Sequence, residues 1–123
     1  MWDIDWTLIE EWLMALDNAT YLQVRAALGV LASRGPQLGR PLVDTVKQSK
    51  HKNMKELRPG SSGKSEIRIL FAFDPDRRAI LLLGGDKSQS WQRWYQTNVP
   101  LADALLDEHL NSFRREMKHG KDT

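Results

Sequence analysis

At 123 residues, 41% hydrophobic and 28% charged, the chain has material for one compact domain with its own core and no room for a second. It contains no cysteine, which excludes a disulfide framework and thiolate metal sites and makes a cytoplasmic protein the economical reading. Net charge is only +2, but it is unevenly spread, so a polyanion-binding role is not excluded by the total.

The N-terminal MWDIDWTLIEEW is acidic where a secretory signal would be basic, and no run reaches the 18 or so apolar residues of a membrane span. Trp2, Ile4 and Trp6 alternate with Asp3 and Asp5, which predicts a half-buried strand. Ile9, Trp12, Leu13 and Leu16 then take up helical spacing. Asn18 is the predicted cap of a second helix, with Tyr21, Val24, Leu28 and Leu31 on one face and Gly35-Pro36 as its stop. From Gln37 to Asn53 no period is sustained, so the segment reads as a long connection with one short extended piece.

Three strands follow, over Met54 to Arg58, Glu66 to Asp74 and Ala79 to Leu83, with PGSSGK (Pro59 to Lys64) and DPDR (Asp74 to Arg77) as turns. On the second, Ile67, Ile69, Phe71 and Phe73 share one face and Arg68, Leu70 and Ala72 the other. Met54, Glu56 and Arg58 share a face of the first. Gly84-Gly85 ends the apolar run and leaves Lys87 just past a strand end. Trp91, Trp94 and Tyr95 are spaced for a short helix, and Pro100 suits the first turn of a last one carrying Leu106, Leu110, Phe113 and Met117. The polar segment 114–123 is expected to fray. The whole is an α+β domain over 1–123: an N-terminal strand and helical hairpin packed on one face of an antiparallel sheet, followed by C-terminal helices. The other face is expected to be free for a partner.

Charge sorts along this order. The first 22 residues hold Asp3, Asp5, Glu10, Glu11 and Asp17 and no Lys or Arg. Between Lys47 and Arg68 stand Lys47, Lys50, Lys52, Lys55, Arg58, Lys64 and Arg68 against Glu56 and Glu66. This reads equally as a surface that gathers a polyanion and as a solvated Lys-rich loop. His51, His109 and His119 have no ligand spacing, so no metal is expected. PGSSGKS lacks the spacing of a phosphate loop and joins two strands, and no GxSxG elbow is present. One chemistry needs no protein nucleophile. In RNA cleavage the substrate's 2′-hydroxyl attacks the adjacent phosphate, and the protein stabilises charge and moves protons.

KELR (Lys55 to Arg58), a Gly-rich turn, IRILFAF (Ile67 to Phe73), DPDR, AILLLGGDK (Ala79 to Lys87), WQRWY (Trp91 to Tyr95) and VPLAD (Val99 to Asp103) occur in that order. Together they resemble the RelE/HigB toxin superfamily, more narrowly its phage-derived Gp49-like HigB group. The resemblance implies the toxin of a type II toxin–antitoxin pair, a ribosome-dependent endonuclease of mRNA that needs no cofactor. A HigA-like helix-turn-helix antitoxin would neutralise it. Carried over by position, Arg58 and Arg68 steady the scissile phosphate, Lys87 binds it or stabilises charge, and Tyr95 supplies a proton or a base stack. Lys47, Lys50, Lys52, Lys55 and Arg93 would meet RNA or ribosome, with Glu56 and His51 as base and acid. The chain departs from the pattern at Ser88, where many relatives are basic, and no His follows Lys87. The competing readings are a non-catalytic ParE-like toxin acting on a protein such as gyrase, and an inactive chain that only binds its antitoxin. Arg58 and Arg68 as ordinary strand charges paired with Glu56 and Glu66, and Tyr95 with Trp91 and Trp94 as plain core in place of a stacking platform, also remain open.

Overall fold

The alternating N-terminus forms strand β1 (Asp3–Asp5), which passes through a single 3-10 turn at Thr7–Ile9 into a short helix, α1 (Glu10–Met14). The computed structural model describes residues 1–60, 65–88 and 90–122, with side chains described as far as Glu116. Helix α2 (Asn18–Arg34) is capped by Asp17 and not by Asn18: the Asp17 carboxylate accepts from the Thr20 backbone N–H at 3.1 Å and from its hydroxyl at 2.6 Å. The position before Asn18 has the extended backbone that an N-cap requires, which moves the boundary by one residue. Gly35 ends α2 at φ +58°, a conformation glycine takes readily. Its missing side chain also makes room for Trp2, whose Nε1 would lie 2.3 Å from a Cβ there.

Strands β2 (Val43–Thr45), β3 (Lys55–Leu57), β4 (Ile67–Phe73) and β5 (Arg78–Asp86) complete a five-stranded sheet ordered β1-β5-β4-β3-β2. β3 to β5 form the expected antiparallel meander, β2 extends it antiparallel at the β3 edge, and β1 adds in parallel at the β5 edge, pairing Asp3 with Arg78 and Asp5 with Ile80. The sheet is therefore mixed. The turn residues Ser61 to Lys64 lie outside the described residues.

Both faces of the sheet are covered, which corrects the expectation of one free face. Ile67, Ile69 and Phe71 join Leu57, Ala79 and Leu81 against Val24, Leu28 and Leu31 of α2. Leu70 and Ala72 join Met54, Ile80 and Leu82 on the opposite face, under Tyr95, Val99, Ala102 and Leu106. That second face also carries an apolar cluster. Burying each such side chain stabilises by roughly 1.5–3 kcal/mol, so a helix covers it.

The covering element is one helix, α3 (Trp91–Asp122), with Pro100 inside it where two helices were expected. Proline removes one hydrogen bond from a helix interior. Here Tyr95 and Val99 before Pro100, and Ala102 and Leu106 after it, pack on the same sheet face and hold both halves on one axis while Pro100 is exposed. The backbone stays helical through 114–122, the segment expected to fray.

One irregularity in β5 decides what lies where. Leu70 pairs with Leu83 and Phe71 with Leu81, so Leu82 has no partner in β4 and forms a bulge. Leu82 and Leu83 then both pack toward α3, and the alternation beyond them is reversed. Gly84 meets Trp12 of α1 on one face, and Gly85 meets Trp94 of α3 on the other.

Candidate functional site

The site is built around a carboxylate. Glu56 stands on β3 opposite Leu70 of β4 and faces α3, where it is 3% exposed. A carboxylate so placed is costly unless its oxygens are paired. Arg58, two residues on and on the same face, donates from Nε to Oε1 at 2.8 Å, and the Tyr95 hydroxyl donates to Oε2 at 2.6 Å. Arg68 brings its Nε to 3.7 Å from Oε1 and donates from a terminal nitrogen to the Ile67 carbonyl at 2.8 Å. Its Nε is buried with no hydrogen-bond partner among the described residues. Arg58 is steadied on its far side by Asp44 of β2, 3.3 Å away.

Electrostatics follow from these contacts. The hydrogen bond to Glu56, then the charges of Glu56 and Asp44, raise the Arg58 guanidinium pKa against the effect of burial. Burial first, and the bond to Glu56 second, push the Tyr95 hydroxyl up to about 12, so it is a neutral donor at ordinary pH.

An open cleft of about 250 Å³ lies over this group, lined by Asp44, Lys47, Arg58, Lys87 and Tyr95 among others. Lys87 reaches it because its backbone N–H bonds the Glu66 carbonyl at 3.1 Å, and its Nζ sits 5.6 Å from the centre of the Tyr95 ring. Four cations (Lys47, Arg58, Arg68, Lys87) meet two carboxylates (Asp44, Glu56), a local excess of +2.

The structure thus brings together Glu56, Arg58, Arg68, Lys87 and Tyr95, with Lys47 at the rim. It does not bring in the others. Lys55 is turned to the Thr45 hydroxyl at 3.0 Å. Lys50 and His51 both bind Asp107 of α3, His51 through Nε2 at 2.8 Å. Asp107 is about 18 Å along the helix from Tyr95 at 1.5 Å per residue. Lys52 and Arg93 are exposed and line no part of the cleft. Glu56, expected as base, has one oxygen occupied by Arg58 and the other by Tyr95. Glu66 is not the partner of either arginine: Glu56 is.

Asp44 and Gln48 were not legible as cleft residues. Asp44 is placed by pairing with Glu56 across β2 and β3, and nothing in the aperiodic 37–53 segment indicated that register. Asp103 and Asp107 were missed for a similar reason. Asp103 accepts from the Ser49 hydroxyl and from the Lys50 backbone N–H, the latter at 3.2 Å, and with Asp107 it fastens the β2–β3 loop to α3. Among the described residues, no three His, Asp or Glu side chains gather as a metal set, and no helix is long and apolar enough to cross a membrane.

The family model described as "Phage derived protein Gp49-like" matches residues 11–107. The chain is 53% identical to "Putative toxin HigB2" of Mycobacterium tuberculosis over 125 residues, covering 97% of this chain and 62% of that protein. It thus spans less than two thirds of that relative's length. It is also 51% identical to "Putative toxin HigB3" of the same organism over 104 residues, covering 85% of this chain and 89% of that protein. No solved structure gives a significant match. A family model that takes in most of the domain, together with a relative matched nearly end to end at half identity, places the chain in the phage-derived Gp49-like family, among the HigB-type toxins.

Proposed function

We propose that the chain is the toxin of a toxin–antitoxin pair and cleaves mRNA on the ribosome, with a HigA-like helix-turn-helix antitoxin as its neutralising partner. The observation that carries this reading is Arg58, Lys47 and Lys87 around an open cleft, with Arg68 beneath on the same buried carboxylate as Arg58. Such a group is suited to a phosphodiester. Arg58 and Arg68 would hold the non-bridging oxygens as the 2′-hydroxyl attacks phosphorus, giving its proton to solvent, and the bond to the 5′ oxygen breaks, that oxygen taking a proton from solvent. Lys87 would add positive charge as the phosphorane forms. Tyr95, protonated at neutral pH, would hold Glu56, and through it Arg58, in place. The ribosome-bound RNA geometry would supply the in-line approach.

The test is translation of a defined mRNA on purified ribosomes, read by primer extension. The wild-type chain is expected to give discrete cuts, and Arg68→Ala to lower their rate about 100-fold or more. Full-rate cutting by Arg68→Ala would sink its assignment. Growth arrest with intact mRNA and inhibited gyrase supercoiling would replace this reading by the ParE-like one. Harmless expression without antitoxin would replace it by the antitoxin-binding one.

A further inference from the structure

Trp91 is 55% exposed at the start of α3, the one aromatic among the large apolar side chains that the described residues leave exposed. Its ring meets Tyr95 edge to face at 6.5 Å between centres, so one side of it is fixed by the core. Next to the basic cleft is a second groove, of about 480 Å³, walled by Trp91, Gln92, Gln96 and Val99 of α3 and by Gln48 of the β2–β3 loop. Gln48, Trp91 and Tyr95 line both hollows, so the two are continuous.

The chemistry of the two hollows differs. The first carries the excess positive charge. The second has no charged residue in its wall, but three amides that each donate and accept, and an exposed indole. A ligand spanning both would be anionic at one end, and flat, neutral and rich in hydrogen-bonding edges at the other. That is the description of a nucleotide. Stacking on an aromatic ring tolerates any base, whereas amides discriminate among base edges.

We infer that the Trp91 groove is a nucleobase subsite next to the phosphate cleft, with Trp91 as the stacking platform and Gln92 and Gln96 as the groups that read the base. This rests on the proposed RNA substrate and adds where a base sits and what selects it.

The test is titration of labelled single-stranded RNA hexamers, one homopolymer for each base, with wild type, Trp91→Ala, Trp91→Phe, Gln96→Ala and Lys47→Ala at several salt concentrations. Trp91→Ala is expected to weaken binding roughly 5- to 100-fold with the salt slope unchanged, and Trp91→Phe to stay close to wild type. Lys47→Ala should instead reduce the slope, and Gln96→Ala should narrow the differences among the four homopolymers. Wild-type affinity in Trp91→Ala, a changed salt slope in that variant, or no RNA binding by the wild type overturns the subsite. So does a Trp91→Ala variant that loses only its antitoxin, which would make the groove a protein contact. The ribosome assay separates the two readings. Hexamer binding as expected with no cut by wild type removes the cleavage reading and leaves the subsite. Cuts at unchanged rates and positions in Trp91→Ala remove the subsite alone.

Discussion

Tyr95 and Glu56 are 39 residues apart in the chain, and the hydroxyl of one donates to the carboxylate of the other at 2.6 Å. This bond joins α3 to β3 at the point where Arg58 and Arg68 converge. Tyr95→Phe keeps the ring and removes the donor, and is expected to cost about 1.5–3 kcal/mol as a bond to a charged acceptor. Glu56→Gln leaves two arginines without their shared counter-charge and is expected to cost about 3–5 kcal/mol. In urea titrations the double variant should lose less than the sum, because both changes break the same contact.

Raising the pH tests the same bond. The Tyr95 hydroxyl pKa is raised to about 12 in the folded protein from about 10 unfolded. A raised value contributes stability that is complete below the unfolded pKa and lost as pH climbs through the folded one. Stability should therefore fall between about pH 10 and pH 12, and ultraviolet titration should show a late tyrosinate step that Tyr95→Phe removes.

Lowering the pH should reveal Asp74, at the opposite end of the α3 face. Burial raises its carboxyl pKa, but the hydrogen bond to His109, the backbone N–H groups of Arg78 and Asp76 and the Arg78 charge outweigh burial and hold it below the ordinary range. A depressed value contributes stability that is present above the unfolded pKa, about 3.9, and lost as pH falls through the folded one. Unfolding measured from pH 6 downward should show this loss, and Asp74→Asn should flatten the acid limb.

The two neighbouring glycines separate stability from the site. A Cβ on Gly84 would lie 2.4 Å from Trp12 Cζ3, and one on Gly85 would lie 2.5 Å from Trp94 Nε1. Overpacking of this kind costs roughly 1–3 kcal/mol, so each alanine variant should melt early. Only Gly85→Ala pushes on the helix that carries Tyr95. Ribosome assays on the folded fraction should show reduced cutting for Gly85→Ala and near wild-type cutting for Gly84→Ala.

Asp103 and Asp107 should control the loop that holds Lys47 and Gln48 beside the cleft. Asp103→Ala removes the acceptor of the Ser49 hydroxyl and the Lys50 N–H. Faster amide exchange is expected over residues 47–53 of that variant, with protection in β4 unchanged.

How much of this could be read from the sequence depends on how local the determining contacts are. The alternation in Ile67 to Phe73 and the shared parity of Glu56 and Arg58 are properties of a few adjacent residues, and both appear in the sheet as expected. Helix α2 was legible from its spacing and its glycine stop. The parallel docking of β1 on β5 was not, because it joins residues about 75 positions apart that share no pattern. The continuity of α3 through Pro100 was hidden because a strong local signal is overruled by packing on both sides of it. At the site, Arg58, Arg68, Lys87 and Tyr95 come together, whereas Lys50 and His51 leave the expected set, since the two acids that bind them lie more than 50 residues on.

The bulge at Leu82 is where β5 changes phase, and the site depends on that phase. Were β5 to close the bulge at its present length, Leu82 would pair with Leu70, Gly85 would turn toward Trp12 and Lys87 away from Tyr95. Deletion of Leu82 removes the unpaired residue and leaves Gly84, Gly85 and Lys87 on their present faces. A variant lacking Leu82 should therefore lose stability, through one buried leucine, and keep its cutting.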